Sequence, residues 1–467
     1  MEEIRFVAAT GAIGAGIPAE ALAAAMALRP HFIASDAGTT DAGPFSLGSG
    51  QPAFAREAVK ADLALMIRAG HEAEIPVIVG SVGTAGSDAQ VDWALEIVRE
   101  IVAEHGLLLR AAVIKSEQDI DYLIAMLAEG RLVALNPAPP LDAAAIRRTV
   151  RVVGMMGVEP LQEALALGAD LILAGRASDS ALFAAIPLMR GFPPGLAWHA
   201  GKIVECGTVA CETYGKGVIF GTIRHDHFVI HPIGPGLRCT PQSVAAHSLY
   251  ENADPYLFPE SSGTLDLTDA VFEKEDDVSV RVSGSRFRPS SQYSVKLEGA
   301  ELAGYSTVMI GGIRDPLILG QLDHWLGEVR RSIEQSVSNV LGMSPATYQI
   351  AIHVYGHDAV MAELEPNREA VPTEVGIAFE VLAKTQDLAT KIAMLARQPL
   401  LHQPIPEWSG GITTIAYLHN PPQLERGAVY RFNMHHVVLP RTQQEVFRTE
   451  LVEIRAGAPA EVAGGGG

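Results

Sequence analysis

Along the first part of the chain, apolar runs repeatedly end in side chains that could do chemistry. The stretch "IASDAGTTDAGPFSLGSGQ" holds Asp36, Thr40 and Asp41, and "GSVGTAGSD" opens on Ser81 after a second apolar run. Lys115 closes "LLLRAAVIK", Asn136 closes "RLVALN", and "GRASDS" carries Arg176, Ser178 and Asp179. The segment "GKIVECGTVACE" then sets Glu205 and Cys206 between apolar residues and a glycine. Such residues suit general acid–base chemistry at carbon. Asp41 and Glu205 would share the proton transfers, and Lys115 would stabilise a developing enolate. Arg176 would hold a carboxylate through the paired donors of its guanidinium. Asp36, Thr40, Ser81, Asn136, Ser178, Asp179 and Cys206 would line the substrate. Each has a plainer alternative. Asp36 and Asp41 suit turns around glycines, Ser87 and Ser116 suit helix caps, and Asp179 suits either role. Lys115 suits a surface charge, Cys206 a small buried residue, and Arg176 a salt bridge to Asp36 or Asp41.

The elements that would gather these groups are strands alternating with helices. Candidate strands cover residues 4–10, 31–36, 75–81, 107–115, 131–136 and 170–175, and the segments between them carry apolar residues at helical spacing. The alternation predicts an α/β fold, an N-terminal mostly parallel sheet flanked by helices. In such sheets ligands bind beyond the carboxyl ends of the strands, where the groups above fall. From about residue 216 the texture changes to alternating strand-like segments interrupted by two helices, which predicts a smaller α+β domain. The expected divisions are 1–215 for the domain with the site, 216–455 for the second, and a disordered tail over 456–467.

Two loops, "TGAIGAG" and "GSVGTAG", loosely resemble phosphate-cradling loops but lack the spacing of a P-loop or a dinucleotide fingerprint. Further on, "IRHDHFVIHP" puts His225, His227 and His231 on one face if it is a single strand. The first two would lie about 6.6 Å apart and the third about 20 Å from the first. Only His225 and His227 could share a metal, with a carboxylate from elsewhere. No tightly bound metal and no cofactor are expected, and a metal-dependent hydrolase stands as an alternative. His435 and His436 would point to opposite faces of a strand.

The chain has 467 residues, 48% hydrophobic and 19% charged, with a net charge of −19. Neither nucleic acid nor an anionic membrane would attract it. Three cysteines are too few for a disulfide framework and fit a reducing compartment. The acidic Met1-Glu2-Glu3 start is unlike a signal peptide. A cytoplasmic homo-oligomer is expected.

Four stretches, "SDAGTTDAGPFSLGSG", "AGRASDSALFA", "AGKIVECGT" and "HPIGPGLRCTPQSVAAHSLYENADPY", together resemble the acyclic terpene utilisation family of the AtuA type. The resemblance implies an α/β N-terminal region and a catabolic role on branched or carboxylated compounds, often as acyl-coenzyme A thioesters. The polar, glycine-rich opening loop points to a smaller and more polar substrate than a terpenoid chain. The expected function is therefore a lyase, of hydratase or carbon–carbon type, acting on a small carboxylic acid or its acyl thioester. A non-catalytic subunit of a multi-enzyme assembly is the alternative from another class.

Overall fold

The computed structural model describes residues 2–138, 140–213, 215–408 and 413–456. The tail expected to be disordered lies, from residue 457 onward, outside the described residues. The chain forms two compact units, Met1–Glu301 with Arg431–Gly467, and Leu302–Tyr430.

The first unit is built on a ten-stranded sheet. Its strands are β1 (Ile4–Ala8), β2 (Phe32–Asp36), β3 (Val77–Gly80), β4 (Leu108–Lys115), β5 (Leu171–Ala174), β6 (Val218–Ile223), β7 (His227–Ile233), β8 (Val271–Lys274), β9 (Val280–Ser283) and β10 (Arg448–Arg455). They lie in the order β8-β9-β7-β6-β1-β2-β3-β5-β4-β10. The central five are parallel, and β6 to β10 join antiparallel on the two flanks. The parallel strands are covered on both faces, which is why they read as near-continuous apolar runs. Alternate residues serve opposite sides: Phe6, Ala8, Phe32 and Ile78 enter one core with Phe183 and Trp198. Val7, Ile33, Val77 and Val79 enter the other with helices Ala19–Ala27, Arg56–Ala73 and Asp88–His105. Because β2, β3, β4 and β5 run the same way, Asp36, Ser81, Lys115 and Arg176 all leave the sheet at one edge.

Three expectations are corrected here. Residue 216 is not a boundary, because β6 and β7 extend the first sheet through pairing of β6 with β1. The run "RLVALN" forms only a short strand, Leu132–Ala134, pairing with His436–Val438 rather than with the parallel strands. Asn136 is thereby removed from the shared edge. Residues 149–154, which carry no strand expectation, pair with residues 297–301.

The second unit, residues 302–430, is antiparallel. Tyr305–Ile313 pairs with Val375–Ala383, which pairs with Gln349–Tyr355. The strand Val375–Ala383 alternates buried and half-buried residues along its length, as a sheet with one covered face requires. Helices Leu322–Leu341 and Gln386–His402 share the core beneath it, with Trp325, Val329, Ile333 and Phe379 fully buried. No helix among the described residues is long and apolar enough to cross a membrane.

Candidate functional site: a buried carboxyl cluster at the strand ends

The glycine-rich loop after β1 comes first along the chain, and it is filled from within. Asp62, buried on the helix Arg56–Ala73, accepts hydrogen bonds from the amides of Gly14 (2.8 Å), Gly16 (3.0 Å) and Ile17 (2.8 Å). A carboxylate of the protein itself thus sits where a phosphate-cradling loop would receive its ligand.

The loops after β2, β3 and β5 converge instead on Arg176. Its backbone amide donates to Ser116 Oγ (2.8 Å), which donates to the carbonyl of Gly86 (2.9 Å). Gly86 has a φ of +66°, and a Cβ there would stand 2.2 Å from the Arg176 nitrogen, so this crossing admits only glycine. Ser116 is therefore not the cap expected of it; Asp119 caps the helix Ile120–Ala128. The guanidinium is almost entirely buried. Nε donates to Glu298 Oε2 (3.1 Å), Nη1 donates to Ser81 Oγ (3.1 Å), and Asp179 lies 3.6 Å away. Ser81 is held at φ +48°, a costly conformation for a residue with a side chain. Asp36 forms the expected turn, its Oδ2 accepting from the Gly38 amide (2.9 Å). Its other oxygen is buried without a hydrogen-bond partner. The salt bridge weighed for Arg176 exists, but to Glu298 and Asp179.

A second knot adjoins the first. The helix Asp179–Met189 packs against Pro194–Val204 so closely that a Cβ on Gly201 would stand 2.4 Å from the Ser180 carbonyl. That contact brings Glu205, at the end of the second helix, to Ser180 Oγ (2.9 Å), and Lys202 donates to its other oxygen. Ser178 Oγ meets Glu260 Oε1 at 3.2 Å. Asp179, Glu260 and Cys206 are half-buried, so the cluster reaches the surface at these three side chains.

Burial raises the carboxyls. It pushes Glu205 up to about 7, aided by Asp179 and opposed by Lys202. It pushes Glu260 up to about 8, with Glu205 and Asp179 adding and Ser178 opposing. Asp36 and Asp179 are raised for the same first reason, and Asp179 further raises Asp36. Glu298 goes the other way: burial opposes its charge, but Arg176 and Lys296 outweigh it. The Cys206 thiol is raised by burial and then by Glu205, which keeps it protonated rather than nucleophilic.

The remaining expected residues are placed as follows. Thr40 is buried in the loop after β2, while Asp41 is exposed, its amide bonded to Thr39 Oγ1 (3.0 Å). Burial, and then a contact with Asp41, hold Glu251 above its usual range. Lys115 stands at the right edge but turns to the carbonyl of Asp88 (2.7 Å) and to Asp92, away from Arg176. Asn136 is exposed beside its short strand. Cys206 lines a cleft of about 860 Å³ with Thr10–Ala12, Thr208 and Lys216. His225 and His227 do not share a strand. His225 lies in the turn before β7, stacked 4.8 Å from Phe192. His227 Nε2 accepts from Arg224 Nη1 (3.1 Å), and its Nδ1 donates to Asp226 Oδ1 (2.8 Å). Among the described residues, no group of three or more His, Cys, Asp or Glu is placed to hold a metal ion.

Sequence reasoning missed Ser180, Lys202, Glu260 and Glu298. The helical spacing of Lys202 and Glu205 was a usable signal for that pair. Glu260 and Glu298 come from distant strands and leave no local trace. No curated protein and no solved structure matches the chain. The model of the family described as "Acyclic terpene utilisation family protein AtuA" matches residues 35–405. With most of its length so matched, and with the loops after β2, β3 and β5 inside the match, the chain belongs to the AtuA family.

Proposed function

We propose that the protein is an acid–base enzyme of the lyase type, a hydratase or carbon–carbon lyase, acting on a small carboxylic acid or its acyl thioester. One observation carries this reading: Glu205 and Glu260 lie in one cluster, close enough for Glu205 to raise Glu260, at about 7 and about 8. Near neutral pH one carboxyl can accept a proton while the other still holds one to give, as elimination and addition of water require. In the dehydration direction the Glu205 carboxylate takes the proton beside the carbonyl. Electrons pass toward the carbonyl oxygen, and the β-hydroxyl leaves as water with the Glu260 proton. Lys202, rather than Lys115, is the cation beside the developing enolate. Arg176 positions Asp179 and Ser81 instead of gripping substrate, since its donors already serve Glu298 and Ser81. The described cations Arg176, Lys202 and Lys296 each carry a carboxylate, which favours a thioester over a free acid.

The test is turnover by the isolated chain on a panel of hydroxyacyl and enoyl thioesters and the matching free acids. Hydration is followed by loss of enoyl absorbance. The expected result is turnover of thioesters, falling about 100-fold or more in Glu205→Gln with the fold retained. No turnover by the unmodified chain would favour the non-catalytic subunit, and an unimpaired Glu205→Gln would remove the proposed base.

A further inference from the structure

Two of the three cysteines face each other outside the carboxyl cluster. Cys211 Sγ and Cys239 Sγ are 3.8 Å apart and both buried. The backbone beside them is tied together. The Glu212 amide donates to the Arg238 carbonyl (2.8 Å), and Arg238 Nε donates to Glu212 Oε2 (3.0 Å). The two sulfurs therefore sit on segments already fastened side by side, and closing to a bond of about 2.05 Å needs side-chain rotation rather than backbone travel. Cys211 also lines a surface cleft of about 610 Å³ with Thr240, Ser243, His247 and Tyr250, which gives a small reagent access to it.

We propose that Cys211 and Cys239 are a reversible dithiol–disulfide site that exchanges with low-molecular-weight disulfides of the glutathione type. The Cys211 thiolate attacks one sulfur of the small disulfide and expels one small thiol. The Cys239 sulfur then attacks Cys211 in the mixed disulfide, expelling the second thiol and leaving the internal bond. Two protein thiols lose their hydrogens, and one small disulfide becomes two thiols. The hydrogen bond from Cys239 favours the Cys211 thiolate, consistent with Cys211 acting first. Oxidation would fasten the turn Gly207–Ala210, directly after Glu205, to the helix Pro241–Ser248. Beyond that helix, the Tyr250 ring lies 6.0 Å from Lys202 Nζ, so the bridge would stiffen the corner that holds Lys202 and Glu205.

The experiment equilibrates the full chain in glutathione buffers of rising oxidised fraction, then blocks free thiols and maps peptides. The expected result is loss of two of the three titratable thiols, a Cys211–Cys239 cross-linked peptide, full reversal by dithiothreitol, and Cys206 still alkylatable. Cys239→Ser should stop at the mixed disulfide on Cys211, and Cys206→Ser should cross-link as the unmodified chain does. If Cys239→Ser does not fold, peptide mapping of the unmodified chain and of Cys206→Ser still decides. Unchanged thiols, a cross-link through Cys206, or glutathionylation without a cross-link would overturn the proposal.

Discussion

The loop after β1 and the loop after β5 leave the same edge of the sheet, and both are rich in small residues, yet they differ in how their polar groups are satisfied. In the first, a single carboxylate, Asp62, answers three amides. In the second, Arg176 stands among Asp36, Asp179 and Glu298, and buried oxygens of Asp36 and Asp179 have no hydrogen-bond partner. Fully paired polar groups rigidify a fold, whereas partly paired ones hold raised pKa values and are concentrated where chemistry is done. The contrast separates a loop that is architecture from a loop that is equipped to react.

The largest expected effect falls on the satisfied loop. Asp62→Ala removes three hydrogen bonds to a charged group, and at about 1.5–3 kcal/mol for each the cost is about 5 kcal/mol. Urea denaturation measures it, and a loss below about 1 kcal/mol would mean that the loop does not depend on Asp62. Next comes Arg176→Met, which leaves the buried Glu298 only its contact with Lys296 and should cost about 3 kcal/mol. Adding Glu298→Leu should restore much of that stability while leaving turnover impaired; a double variant as unstable as the single would contradict the pairing.

The third test uses pH. Glu205 and Glu260 have folded values raised from 4.5 to about 7 and about 8, so the folded state holds more protons than the unfolded state between those limits. Their contribution is fully present below about pH 4.5 and is lost as pH rises through about 7 and then about 8. Denaturation curves across this range should show stability falling toward alkaline pH, and Glu260→Gln should remove the last part of the fall. An unaltered slope in that variant would show that Glu260 does not titrate there. The smallest effect is expected at Lys115, whose partner Asp92 is largely exposed. Lys115→Ala should cost no more than about 1 kcal/mol and leave turnover unchanged, and a large loss of activity would return Lys115 to the site.

Much of this was legible because burial on both faces writes itself as apolar runs. Residues such as "VIVG" and "LILA" mark β3 and β5 by composition alone, and the residues following them mark the edge. Direction was less legible than position. Lys115 ends its strand where expected, but its side chain points toward the helix Asp88–His105, and no local pattern distinguishes that from pointing at Arg176. The histidine segment misled because a turn at His225 and Asp226 interrupts what alternation alone presents as one strand. Glu298 and Glu260 were out of reach for a different reason: their roles exist only through pairing with segments 122 and 82 positions away.

The last strand, β10, carries a consequence for how the chain is made. It covers the outer edge of β4 through eight paired positions, and Gln118 adds a hydrogen bond to the Val446 carbonyl, 328 positions on. A ribosome therefore releases β4 long before its neighbour exists. Until then the strand Leu108–Lys115 exposes a row of unpaired amides and carbonyls beside apolar side chains, an open template for another chain. Nascent chains halted before residue 448 should engage chaperones and co-aggregate, while those carried past residue 455 should close the edge and become protease-resistant.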